Sequence, residues 1–354
     1  MSLRLPPLAC LVFASFAVAA PPATAADSPA ATRAAFLALV ARPAVPLAPQ
    51  VSTPVEKEGR LHIAFSYAAD GDQRVPAILV KPATAAAKPA LRRPVVISLH
   101  GTGGNKEGQV KLLTQLADAG FVGVSIDARY HGARAKTPKT TVDYTDAILR
   151  AYRAEKSTEH PFYYDTVRDV IRLIDYLATR DDVDVTRIGV IGFSKGGTEA
   201  YLAAAVDPRI TATVACIGVQ SFRWALDHDS WHSRIGTIQL AVDAAAKDAG
   251  VATVDAAFIR RFYDRTNPGI YSRFDGPAML PLIAPRPLLA INGDTDPRTP
   301  VPGLMLCAEA ARTAYRAAGA EENFTLTIQP NTGHKVNPES LVAAREWLAK
   351  QLKP

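Results

Sequence analysis

Hydrophobic positions along this chain change period again and again, and the changes mark out its elements. Residues 62–68 and 75–81 look like an opening pair of strands. Residues 95–99 are a continuous apolar run, the pattern of a parallel strand buried on both faces. A helix-like stretch follows over 109–119, then a second apolar strand over 121–126. Further on, Val167, Val170, Ile171, Ile174 and Leu177 share one helical face. The pattern then predicts strand 187–193, helix 198–206, strands 211–219 and 287–292, helix 304–317, strand 324–329 and a last helix over 338–352. Strands alternating with helices imply an α/β fold, with a mostly parallel central sheet covered on both faces. Residues 220–282 break the rhythm. The stretch is long and helix-prone and carries Trp224, Trp231, Tyr263 and Tyr271, which reads as a helical cap inserted between two sheet strands.

The N-terminal 25 residues read as a secretory signal peptide. Arg4 supplies the charge, residues 8–20 the apolar core, and Pro21-Pro22 with Ala23-Thr24-Ala25 the break and cleavage site. The apolar core falls short of the roughly 20 residues that span a bilayer, and no later segment reaches that length. Export to a periplasmic or secreted location follows. Residues 26–56, rich in Ala and Pro, read as a leader with a short helix at 32–41, and 57–354 as one main domain holding the insertion. The net charge of +6 is scattered: the longest basic cluster is Arg92-Arg93, and acidic residues are interspersed throughout. That is a solvated surface with no nucleic-acid stripe. Removal of the signal takes Cys10 away and leaves Cys216 and Cys307, both in apolar contexts that suit small buried hydrophobes. No Cys/His metal spacing is present.

The strongest chemical signal is Gly192-Phe193-Ser194-Lys195-Gly196-Gly197, which follows an apolar strand and opens a helix. This is the context of a nucleophile elbow, in which flanking glycines permit a tight turn that lifts the serine above the sheet. A serine hydroxyl needs a base. With the order Ser, acid, His that accompanies such an elbow, only His228, His232 and His334 follow Ser194. The first two sit in the insertion before any good acid, which leaves His334. Asp294 and Asp296 compete as the acid in Gly293-Asp294-Thr295-Asp296-Pro297. Loop position favours Asp296, while Asp294 suits a turn cap. Oxyanion donors are expected from the Lys195 N–H and from His100-Gly101-Thr102-Gly103-Gly104, with Thr102 preferred and Gly101 or Gly103 as alternatives.

These motifs, in this order and spacing, resemble the α/β-hydrolase superfamily. Within it, the chain is similar to the dienelactone-hydrolase and acetyl-xylan-esterase-like carboxylesterases over residues 60–352. The resemblance implies an α/β-hydrolase fold, no cofactor, a Ser194–Asp296–His334 triad, and a small-molecule or carbohydrate ester as substrate. Asp127-Ala128-Arg129-Tyr130-His131-Gly132 looks like the family's D-x-R-x-x-G turn, so Asp127 and Arg129, with His100, are expected to brace the site. The chain carries Ser where dienelactone hydrolases have Cys, and Arg129-Tyr130-His131 where one acetyl xylan esterase group has R-G-Q.

Rival readings account for less. Lys106 stands where a dinucleotide motif needs its third glycine. His228 and His232 have zinc-like spacing but lack the following Glu. Trp224 and Trp231 are candidates to line a substrate site, and equally to form the insertion's own core. A prolyl-oligopeptidase-type peptidase would share this catalytic domain, but the residues before it leave no room for a propeller. A non-catalytic binding relative would usually lose a triad member.

Overall fold

The computed structural model describes residues 28–83, 92–138 and 140–353; the signal-like stretch and Cys10 lie outside them. Ten strands among the described residues form one sheet. They are β1 (Gln50–Val51), β2 (Val55–Lys57), β3 (Arg60–Asp70), β4 (Gln73–Pro82), β5 (Arg93–Leu99), β6 (Val122–Ile126), β7 (Val183–Phe193), β8 (Ile210–Cys216), β9 (Leu288–Gly293) and β10 (Phe324–Gln329). Their order is β1-β3-β4-β6-β5-β7-β8-β9-β10, with β2 also paired to β3. From β6 to β10 every neighbour runs parallel, and β1 to β4 add an antiparallel edge. This is the α/β-hydrolase arrangement expected from the sequence.

Two apolar layers sandwich the sheet. In β5, Val95, Ile97 and Leu99 point into one layer and Val96 into the other, as the two-residue period of a strand demands. The larger layer lies under helices Val142–Arg153, Tyr164–Leu177, Lys195–Val206 and Val301–Ala317. The smaller lies under Val110–Asp118 and Pro338–Leu352. Helix Pro29–Leu39, in the leader segment, buries Phe36 in the larger layer, and β1 and β2 extend the sheet edge.

The structure adds the short edge strands β1 and β2 within the stretch read as a leader and starts β7 at Val183 rather than 187, and two further elements differ. Helix Val142–Arg153 was not anticipated: its apolar stripe of Tyr144, Ala147, Ile148 and Ala151 is interrupted by Asp143, Asp146, Arg150 and Arg153. Strand β8 stops at Cys216 rather than 219 because Ile217 adopts a left-handed backbone, φ 47°, and turns the chain away.

The insertion is helical, with segments Phe222–Asp227, His232–Ile235, Gln239–Asp248, Ala256–Thr266 and Gly276–Met279. It packs on helices Val142–Arg153 and Val301–Ala317. Ile235, Ile238, Val242, Phe258, Phe262 and Met279 are buried in the main core. Cys216 and Cys307 are buried free thiols. Among the described residues no helix is long and apolar enough to cross a membrane.

Candidate active site

The elbow forms where β7 delivers the chain to helix Lys195–Val206. Ser194 has φ 56° and ψ −113°, a backbone state that L residues avoid unless the surroundings impose it. Two contacts impose it here. A Cβ on Gly192 would stand 1.9 Å from the Gly196 carbonyl oxygen, and one on Gly196 would stand 2.2 Å from that of Leu99. Only glycine lets strand, helix and neighbouring strand close this tightly. The Ser194 N–H donates to the Cys216 carbonyl at 2.9 Å, which ties the elbow to β8.

His334 lies in the loop between β10 and the last helix. Its Nε2 accepts from the Ser194 hydroxyl at 2.7 Å, and its Nδ1 stands 2.9 and 2.8 Å from the two oxygens of Asp296. A carboxylate only accepts, so Nδ1 carries the ring proton and Nε2 keeps its lone pair for the serine. The Asp296 carboxylate is fully buried, and His334 is 19% exposed. Burial alone would raise the Asp296 pKa. The His334 ring and the N–H groups of Arg298 (2.8 Å) and Thr299 (3.1 Å) outweigh it and hold the carboxyl below its ordinary value.

Asp294 is engaged elsewhere. It accepts from the N–H groups of Asn331 and Thr332, both at 2.9 Å, and so braces the loop that carries His334. These bonds hold its carboxyl below the usual range.

The His100–Gly104 loop follows β5 and lies against the elbow. A Cβ on Gly101 would meet the Ser194 Cβ at 3.5 Å. Thr102 is half-buried in the turn that the Gly104 N–H closes onto the Gly101 carbonyl. Lys195 opens its helix, where the first N–H groups have no partner within the helix. His100 is buried, and Nε2 accepts from the Ala128 N–H at 3.1 Å, so Nδ1 is the protonated nitrogen that donates to the Gly101 carbonyl at 2.8 Å. Burial and the nearby Lys195 ammonium hold this imidazole down at about 4.

Behind the loop stands a layer of buried charge. Asp127, wholly buried, accepts from the Lys106 N–H (2.9 Å), the Lys106 ammonium (2.8 Å) and the Ala133 N–H (2.9 Å). Arg129 forks onto Asp169 through two bonds of 3.0 Å and reaches Asp70 at 2.8 Å, while Arg134 joins Asp169 from another side. The Lys195 side chain forms a buried ion pair with Glu199 one helical turn on. Lys106, Asp169 and Glu199 have no site role in the sequence reading. Their partners lie close in space, most of them far along the chain.

The insertion's tryptophans contact residues of the insertion itself. Trp231 is buried, with its N–H on Asp229 at 2.7 Å and its ring stacked on His232. Trp224 is half-buried and stacks on His228. These ring partners account for both histidines. A polar groove of about 580 Å³, lined by Asp72, Gln73, Arg74, Tyr130 and Arg134, opens beside the Asp127–Gly132 turn rather than over Ser194.

The chain is similar to known proteins. The acetyl xylan esterase family model matches residues 56–228, and a model for fungal glucuronyl esterases matches residues 162–319. The chain has the α/β-hydrolase fold and is similar in sequence to esterases of that fold. YtaP of Bacillus subtilis (strain 168) is 25% identical over 296 residues, covering 79% of this chain and 85% of YtaP. The 4-O-methyl-glucuronoyl methylesterase 1 of Sodiomyces alcalophilus is 28% identical over 158 residues, 44% of this chain and 30% of that enzyme. Acetyl xylan esterase 1 from Thermoanaerobacterium sp. JW/SL YS485 superposes with a TM-score of 0.67 at 17% identity, covering 92% of this hydrolase and 94% of that one. The acetyl xylan esterase of Paenibacillus sp. R4 gives 0.63 at 21% identity, covering 94% and 97%.

Proposed function

We propose that this exported hydrolase cleaves short-acyl esters of carbohydrates through an acyl-enzyme on Ser194, with His334 as base and Asp296 as its orienting acid. The observation that supports this most directly is the contact chain from the Ser194 hydroxyl through His334 to Asp296, at 2.7 and 2.8 Å. The Ser194 oxygen attacks the ester carbonyl carbon as Nε2 takes its proton. The resulting oxyanion meets the N–H of Lys195 and one from the His100–Gly104 loop, with Thr102 the preferred donor. His334 then gives its proton to the departing alkoxide. Water repeats the sequence on the acyl-serine and releases the acid. Asp127 and Arg129 brace the loops on either side and do no chemistry. The signal-like N-terminus is the basis for export.

The test is a panel of p-nitrophenyl esters from acetyl to octanoyl, run beside acetylated xylo-oligosaccharides, a benzyl glucuronate and an aminoacyl amide. The glucuronate arm is included because the fungal glucuronyl esterase model also matches. Acetyl esters should be cleaved fastest and amides poorly. A fluorophosphonate should label the wild type and leave Ser194→Ala untouched. Equal labelling of both would remove Ser194 from the role, and a preference for octanoyl esters or amides would overturn the substrate class.

A further inference from the structure

We propose that Arg234, carried by the insertion, is a positioning residue for Asp296. The inference rests on the reading of Asp296 as the acid that orients His334. Arg234 lies in the short helix His232–Ile235 and is 5% exposed. Its hydrogen bonds go to neutral acceptors. Nε donates to Gln220 Oε1 at 2.5 Å, and Nη2 donates to the Arg298 carbonyl and to Thr299 Oγ1. A buried guanidinium is costly to desolvate, and neutral acceptors repay less of that cost than a carboxylate does. Arg234 instead spends its donors on the loop whose N–H groups hold Asp296.

The network is directional. The Thr299 hydroxyl donates to the Ile217 carbonyl at 3.1 Å, which leaves its lone pair for Arg234. The Thr299 carbonyl accepts from Asn292 Nδ2 at 3.0 Å. The N–H groups of Arg298 and Thr299 then point at Asp296 Oδ1. The loop is thus fixed on the sheet side by Asn292 and Ile217, and on the insertion side by Arg234. Gln220, just beyond β8, holds the guanidinium in turn. Phe222 lies 6.0 Å beneath it, and its charge opposes the rise that burial imposes on the Tyr163 phenol. Without Arg234, the Arg298 carbonyl and Thr299 hydroxyl lose a buried donor and the loop has no fixed point on that side. Asp296 then moves relative to His334. Misplacement of a catalytic group by about 1 Å lowers turnover on the order of 100-fold.

The test uses the full chain with Arg234→Met and Arg234→Lys, and Thr299→Val as a second way to remove the grip. Three quantities are read: kcat and KM on p-nitrophenyl acetate, the melting temperature, and the downfield proton resonance of the His334 Nδ1–H. The Met variant should lose about 100-fold in kcat with KM within twofold, and its downfield resonance should broaden or shift. Lys should recover part of the loss, and Thr299→Val should reproduce the Met phenotype if Met fails to fold. An unchanged kcat and resonance in folded variants would overturn the proposal. So would a rise in KM at constant kcat, which would make Arg234 a substrate contact, or a fall in melting temperature with the resonance intact. The resonance reports the Asp296–His334 contact whether or not the substrate class is right, so failure of the esterase reading stays distinguishable.

Discussion

Replacing Asp296 with Asn separates the two candidate acids, and the geometry sets how large the effect should be. Oδ1 of Asp296 receives the N–H groups of Arg298 and Thr299, so the amide oxygen of an Asn will take that position. The NH2 group is then left where Oδ2 stands, 2.8 Å from His334 Nδ1. A donor placed there favours the tautomer with its proton on Nε2, and that nitrogen can no longer accept from Ser194. In triads where the same exchange forces the wrong tautomer, kcat falls about 10⁴-fold, equivalent to about 5.5 kcal/mol of barrier. Asp294→Asn is the control. Asp294 accepts from the N–H groups of Asn331 and Thr332, and the amide oxygen of Asn can keep accepting from them. Its kcat should fall less than about tenfold, since no tautomer is at stake. Steady-state hydrolysis of p-nitrophenyl acetate, with active sites counted by fluorophosphonate titration, reads both effects. A larger loss for Asp294→Asn, or a loss below about 100-fold for Asp296→Asn, would refute the tautomer argument.

Two further outcomes follow from the same coordinates. His100 is neutral in the folded state down to about pH 4, whereas an unfolded imidazole binds its proton near 6.5. As pH falls from about 6.5 to 4 the unfolded chain therefore takes up a proton that the native one refuses. Stability should drop by up to about 3 kcal/mol from this residue. Urea unfolding across that window should show a slope about one proton shallower for His100→Asn, and equal slopes would show that His100 is not the group responsible. Gly192→Ala should destabilise the fold by about 3 kcal/mol, because its methyl would stand 1.9 Å from a backbone oxygen that cannot step aside. A chemical-denaturation midpoint equal to that of the wild type would contradict the close packing of the elbow.

Much of the fold was legible because burial leaves a periodic trace. Strand Phe324–Gln329 and helix Pro338–Leu352 have the limits that their apolar spacing suggests. The central strands were visible as uninterrupted apolar runs because helices cover both their faces. Helix Val142–Arg153 escaped because one face is charged and the other is a narrow stripe that meets the insertion. The end of β8 escaped for a different reason. Ile217 has strong strand propensity but takes a left-handed turn, imposed by Gly218, where a Cβ would lie 2.5 Å from the Ser194 carbonyl oxygen. Local preference gave way there to the packing of the elbow.

The candidate site divides along the same line. Ser194, His334 and Asp296 stand in short motifs, because a turn of unusual geometry needs particular residues close together in sequence. The partners that hold the supporting residues leave no such trace. Asp127 is held by Lys106 and Arg129 by Asp169, separated by 21 and 40 residues, and Arg234 reaches Thr299 across 65. Asp127 and Arg129 stand out through the D-x-R-x-x-G turn, but Lys106, Asp169 and Arg234 need no periodic position or special backbone state, so each of these reads in the sequence as one more surface charge. Yet a charge with less than a tenth of its surface exposed must be satisfied or it destabilises the fold. Asp127, Arg129, Asp169 and Arg234 all meet that description. Burying them costs stability that apolar side chains of similar volume would not have cost. The return is fixed direction, because each hydrogen bond holds its loop in one orientation. On the proposed reading of Asp296 as the acid, the insertion belongs to the scaffold of the site, since through Arg234 it bonds the Arg298–Thr299 loop that holds Asp296.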